Sequence, residues 1–251
     1  MNNSELQPAK LTPTDLSAAI KTGWRIFRAV PLPSAAYASI AALIGLVLLY
    51  AVGELGISPM SLPFAGGFML VAPAMLTGFF QLASNVLSDK ETAFSTPFAA
   101  FLHTPPQTWM VALFCAFIFL IWITDAGVLY SFIIGGEHIP YELPWFLKAD
   151  KDITSFWFWG ALMGAVLAFI IFCVSAFSVP LLFEGRSSLV QAVHASVRAV
   201  FKNFVSTMSW ALILSLSIVM AILLLPLLLL VLPVLAYASF ALYQTVFPQT
   251  S

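Results

Sequence analysis

Apolar residues fall in long blocks along this chain, separated by short stretches that hold nearly all of the charge. A helix needs about 20 mostly apolar residues to cross ~30 Å of hydrocarbon at 1.5 Å per residue. The pattern predicts a first span from Ser34 to Val52, a second from Leu62 to Ala83, a third from Gln107 to Phe132 and a fourth from Thr154 to Val179. From Ser206 to Tyr243 there is no charge at all. That stretch is too long for one crossing. Pro226 cannot donate a backbone hydrogen bond and disfavours helical geometry at Leu225, so the division into a fifth and a sixth span is placed there. One long span with a kinked or re-entrant tail is the alternative reading.

Between the spans a second pattern recurs. Leu16, Ile20, Trp24 and Phe27 follow steps of four, four and three, and Leu189, Val193, Val197 and Val200 repeat them. Phe94, Phe98 and Leu102 form a middle copy that Pro105 and Pro106 end. In this register Arg25 matches His103 and Arg198, and Lys21 matches His194. An apolar stripe at helical period with basic residues opposite predicts a helix lying in the membrane interface. Lys21, Arg25, Arg28, His194, Arg198 and Lys202 are its expected basic contacts. Val71-Ala72-Pro73-Ala74-Met75-Leu76 also resembles Val231-Leu232-Pro233-Val234-Leu235-Ala236.

The fold expected is therefore all-α, a polytopic transmembrane helical bundle of six spans. It divides into three pseudo-repeated units, each an interfacial amphipathic helix followed by a two-span hairpin, over residues 13–90, 91–185 and 186–247. Together they make one membrane domain, 13–247, between a flexible tail at 1–12 and a short one at 248–251. Internal repeats are common in transporters. Basic amphipathic loops also occur in multi-span proteins without any repeat.

Composition agrees with the spans. Of 251 residues 61% are hydrophobic and 8% charged, where soluble domains carry about 25% charged residues. A net charge of -1 argues against nucleic-acid binding, which needs a concentrated basic face. Eight of the ten basic residues (Lys10, Lys21, Arg25, Arg28, Lys90, Arg186, Arg198 and Lys202) fall on one side of the spans. The other side has Lys148 and Lys151 amid Glu137, Glu142, Asp150 and Asp152. The positive-inside rule then places the N-terminus, and with six spans the C-terminus, in the cytoplasm. Trp145, Trp157 and Trp159 are expected at the outer boundary, Trp109 and Trp210 at the inner one. No cleavable signal peptide is read at the N-terminus.

Several segments together resemble a bacterial family of integral membrane proteins, the one numbered 2189 among domains of unknown function. They are Gly23-Trp24-Arg25-Ile26-Phe27-Arg28-Ala29, Phe64 to Pro73, Val174 to Leu182, His194 to Val200 and Val231 to Leu235. The resemblance implies a multi-pass protein of the Gram-negative inner membrane and supplies no catalytic residues. Some relatives carry a haem–copper oxidase label, whose site needs facing histidines inside the bundle. Here the three histidines, His103, His138 and His194, all lie outside the spans.

Candidate chemistry is sparse. Asp125 is the acidic residue inside a span, and an intramembrane carboxylate is a functional suspect by default. Counting from Trp109 puts it about 24 Å along the third span, close to the outer boundary, where hydration is easy. Gly160, Gly164 and Ala168 share one face of the fourth span and let another helix approach, within the bundle or in a homodimer. Gln81 with Asn85, and Ser175 with Ser178, are candidates to line a polar cavity; hydroxyls that bond back to their own helix are the plainer reading. Cys115 and Cys173 lie in apolar runs without metal-ligand spacing and are expected as small core residues. Glu184 and Arg186 are expected to serve helix-end electrostatics. Neither a phosphate loop nor a nucleophile–base arrangement is legible.

The sequence thus points to a non-enzymatic membrane protein without cofactor or metal. Its expected partners are the lipid bilayer and other inner-membrane proteins. An interaction or assembly scaffold is the first reading, and a transporter or conduit for lipids or small molecules the second.

Overall fold

The computed structural model of the chain describes residues 6–65, 68–135 and 151–249. Among these residues all regular structure is helical. The helices are α1 (Pro13–Ala29), α2 (Pro31–Glu54), α3 (Ser61–Ala65), α4 (Phe68–Leu87), α5 (Thr96–Leu102), α6 (Pro106–Ile133), α7 (Lys151–Ser175), α8 (Ser178–Phe183), α9 (Leu189–Lys202), α10 (Phe204–Leu223) and α11 (Leu228–Val246).

Among the described residues five stretches are long and apolar enough to cross a membrane: Pro31–Glu54, Pro106–Ile133, Lys151–Phe183, Phe204–Ile222 and Leu225–Val246. Their surfaces carry exposed Leu43, Leu46, Tyr50, Leu113, Leu120, Phe132, Leu162, Val166, Leu212 and Leu216. Apolar surface on that scale is stable against acyl chains and not against water.

The expected boundaries shift where proline or a turn intervenes. The second span was expected from Leu62. Instead a 3₁₀ turn at Ser58–Met60 and the separate helix α3 come first, and the long helix α4 runs from Phe68 to Leu87. The fourth span was expected to be continuous to Val179, but α7 ends at Ser175 and α8 restarts at Ser178. Pro180 has no N–H for the carbonyl of Ala176, so the ladder breaks there. Between α10 and α11 a 3₁₀ turn, Leu225–Leu227, forms around Pro226, at the expected point of division.

One core binds the bundle together. It runs through Ile26, Tyr37, Phe79, Phe80, Cys115, Cys173, Leu181, Ala199, Trp210, Tyr237 and Phe240. Trp210, expected as an interfacial anchor, is 5% exposed and belongs to this core. Cys115 and Cys173 are both buried free thiols. A second cluster, including Val52, Met60, Ala126, Tyr130 and Phe156, closes the far end of α2, α6 and α7.

The short helices pack in a consistent order. Helix α1 lies along α11, α5 along α4, and α9 against α7 and α8. The turn between α10 and α11 comes alongside α2, where Ala42 packs on the cluster of Ala221, Ile222 and Leu228. Glu54, the last residue of α2, lies 12 residues beyond Ala42, about 18 Å at 1.5 Å per residue.

Candidate functional site

Two polar clasps lie at the end that carries both chain termini. The Ala9 N–H donates to the carbonyl of Val246 at 2.8 Å. The Leu11 N–H donates to Asn203 Oδ1 at 2.7 Å, Asn203 Nδ2 donates to the Ala9 carbonyl at 2.9 Å, and Lys202 Nζ donates to the Pro8 carbonyl at 2.6 Å. Asn203 is the junction between α9 and α10 and is 5% exposed. A buried amide at a helix junction can meet an incoming strand of backbone with both donor and acceptor. Residues 8–11 were expected within a flexible tail; these bonds tie them to the bundle.

A second clasp holds the other terminus. Arg186 donates through Nη1 to the Phe247 carbonyl at 2.7 Å and to the Tyr243 hydroxyl at 3.0 Å, and through Nη2 to the Pro248 carbonyl at 3.3 Å. The Tyr243 hydroxyl in turn donates to Glu184 Oε2 at 2.6 Å, and Glu184 pairs with Arg186 at 3.6 Å. The guanidinium therefore satisfies carbonyls that the end of α11 leaves without partners.

Helix α1 meets α11 through small residues. Its buried positions are Leu16, Ala19, Gly23 and Ile26. A Cβ at Gly23 would fall onto the Val234 carbonyl oxygen and lie 2.9 Å from the Ala238 nitrogen. The expected stripe differs in part: Leu16 is buried, but Ile20 and Phe27 are half-buried and Trp24 is 45% exposed. The physical reason is backbone approach. Ala19 and Gly23, one turn apart, let two helices touch where larger side chains would hold them apart.

Inside the same end, three phenylalanines from three helices meet. Phe80 of α4 and Phe240 of α11 stack with centroids 5.1 Å apart, and Phe183 of α8 contacts Phe80 at 5.9 Å and Phe240 at 6.1 Å, both edge-on. Phe80 and Phe240 are buried. The space between the three helices is filled by rings.

The predicted site residues are dispersed. Gln81 Nε2 donates to Asn85 Oδ1 at 2.8 Å, and Asn85 Nδ2 donates to the Glu91 carbonyl at 3.3 Å, so this pair finishes α4. Ser175 and Ser178 donate to the carbonyls of Ile171 and Val174, at 2.8 and 2.6 Å. Asp125 is half-buried in α6, eight residues before Ile133. A Cβ at Gly164 would lie 2.7 Å from the Trp122 ring, so this glycine seats an indole of α6. At Gly160 the nearest such atom is Leu129 Cδ2 at 3.9 Å, and Ala168 is half-buried. Lys21, Arg25, Arg28, His194, Arg198 and Lys202 are exposed. Residues His138, Trp145, Lys148, Glu137, Glu142 and Asp150 lie outside the described residues. Among the described residues no group of three or more His, Cys, Asp or Glu comes together as a metal site would require.

Arg186 and Glu184 do serve a helix end, that of α11; the residues missed in sequence are Asn203, Tyr243 and Gly23. Of these Gly23 gave a signal, through its small-residue spacing with Ala19.

Apolar helices long enough to span, with lipid-suited surfaces, define an integral membrane protein of the helical-bundle class. Residues 61–184 match the family model described as predicted integral membrane protein (DUF2189). No curated protein and no solved structure matches the chain.

Proposed function

We propose that this chain is a non-catalytic scaffold of the bacterial inner membrane, which organises or assists the assembly of other membrane proteins. The observation that carries this reading is the filled interior. Phe80, Phe183 and Phe240 close the space between α4, α8 and α11. The side chains a conduit would need, Gln81, Asn85, Ser175 and Ser178, spend their hydrogen bonds on each other or on their own helices. A transporter or lipid conduit is the second reading, favoured by half-buried Asp125 and by the repeat, which is common in transporters.

In this reading six helices lie in the membrane, the five long apolar stretches and α4, which with 20 residues is long enough. Both termini face the cytoplasm. The support is that Ala9 bonds Val246, which puts the termini at one end, and that the exposed basic residues Lys21, Arg25, Arg28 and Arg198 belong to the helices packed there. The threefold repeat belongs to the proposal as well. Each short amphipathic helix lies on the second half of the preceding unit, and the first lies on the last, as a closed ring of three units requires. In the register that aligns Arg25, His103 and Arg198, the trios Ser34, Ala112, Thr207 and Tyr37, Cys115, Trp210 are all buried.

The test is a pair of measurements. Affinity capture from native membranes after mild crosslinking is expected to retain specific inner-membrane proteins. Purified chain in liposomes is expected to add no solute flux. Flux that disappears in Asp125→Ala would replace the scaffold with the conduit.

A further inference from the structure

We infer that the α10–α11 hairpin is re-entrant, its tip ending inside the hydrocarbon. The Ser34 hydroxyl meets the Tyr237 hydroxyl at 2.5 Å, and Ala42 packs on the cluster of Ala221, Ile222 and Leu228 at the tip. The segments from Ser34 to Ala42 and from Leu228 to Tyr237 therefore run side by side. Beyond Ala42, α2 continues about 18 Å with Leu43, Leu46, Val47 and Tyr50 exposed. Those side chains need lipid, so the tip lies well below the boundary that α2 reaches. The remaining length of α11 runs the other way, beside α1 to the Arg186 clasp. The tip, Leu224-Leu225-Pro226-Leu227, holds no polar side chain, and Pro226 removes one N–H that lipid could not satisfy.

In a background with Cys115→Ala and Cys173→Ala, a single cysteine replacing Leu227 is expected to resist impermeant maleimide from both sides of the membrane. A spin label there should relax with lipid-borne oxygen rather than aqueous nickel. A cysteine replacing Leu55 should react from one side. Reaction at 227 from the side that labels 55 would show a full crossing and overturn the inference.

Discussion

Gly23 lies against the backbone of Val234, so close that any side chain at 23 would meet the Val234 carbonyl oxygen. Residues 211 apart in sequence thus join the first helix to the last, and the bundle is closed by contact between two backbones. Overpacking at such a point costs typically about 1–3 kcal/mol. Gly23→Leu is expected to lower the thermal midpoint in detergent clearly, while Ala18→Leu, on the exposed face of α1, leaves it near wild type. Equal midpoints for the two variants would show that the seam carries no load.

The Arg186 clasp should behave as a unit. Arg186→Ala removes donors from the Phe247 and Pro248 carbonyls and from Tyr243, and losing charge-assisted bonds of this kind costs about 1.5–3 kcal/mol. Amide hydrogen exchange over residues 243–249 is expected to speed up in this variant. Tyr243→Phe should produce a smaller change, because the guanidinium keeps its two carbonyls.

Apolar residues wrote their positions plainly into the chain. Length and lack of charge located α2, α6, α7 and the α10–α11 hairpin, because a lipid-facing helix can hold little else. The seam of α1 was hidden for the opposite reason. Ala19 and Gly23 contribute almost nothing to hydropathy, and the larger Trp24 beside them drew the predicted stripe toward an exposed face. Asn203 was equally silent: one amide in a junction looks like any loop residue until the chain brings Ala9 and Leu11 to it. Pro180 did break its span, yet nothing local marked that α8 would carry Phe183 to Phe80 and Phe240.

Burial of Phe240 within the phenylalanine trio makes Phe240→Ala an informative truncation. Removing a buried Phe costs about 3–5 kcal/mol, and the space it leaves lies between α4, α8 and α11. The variant is expected to be much less thermostable, and Phe240→Leu to recover most of the loss. If Phe240→Ala instead conferred solute flux on liposomes while the wild type had none, the ring cluster would be a gate and not a structural core.

The start of α1 should respond to acid. Thr12, through its side chain first and its backbone second, donates to the Asp15 carboxylate and holds it below the ordinary value of 3.8. A depressed carboxylate stabilises the folded state above its unfolded pKa, and the contribution is lost as pH falls through the folded one. Exchange of the amides at 12–16 is therefore expected to accelerate below about pH 4 relative to the rest of α1. In Asp15→Asn the same amides should show no such acid dependence.

The shared face of the two termini is tested most directly by labelling single cysteines in intact cells. In the background lacking Cys115 and Cys173, cysteines replacing Gln7 and Gln249 should both be protected from impermeant maleimide and both become reactive after permeabilisation. Labelling of one terminus but not the other in intact cells would contradict the closed bundle in which Ala9 is bonded to Val246.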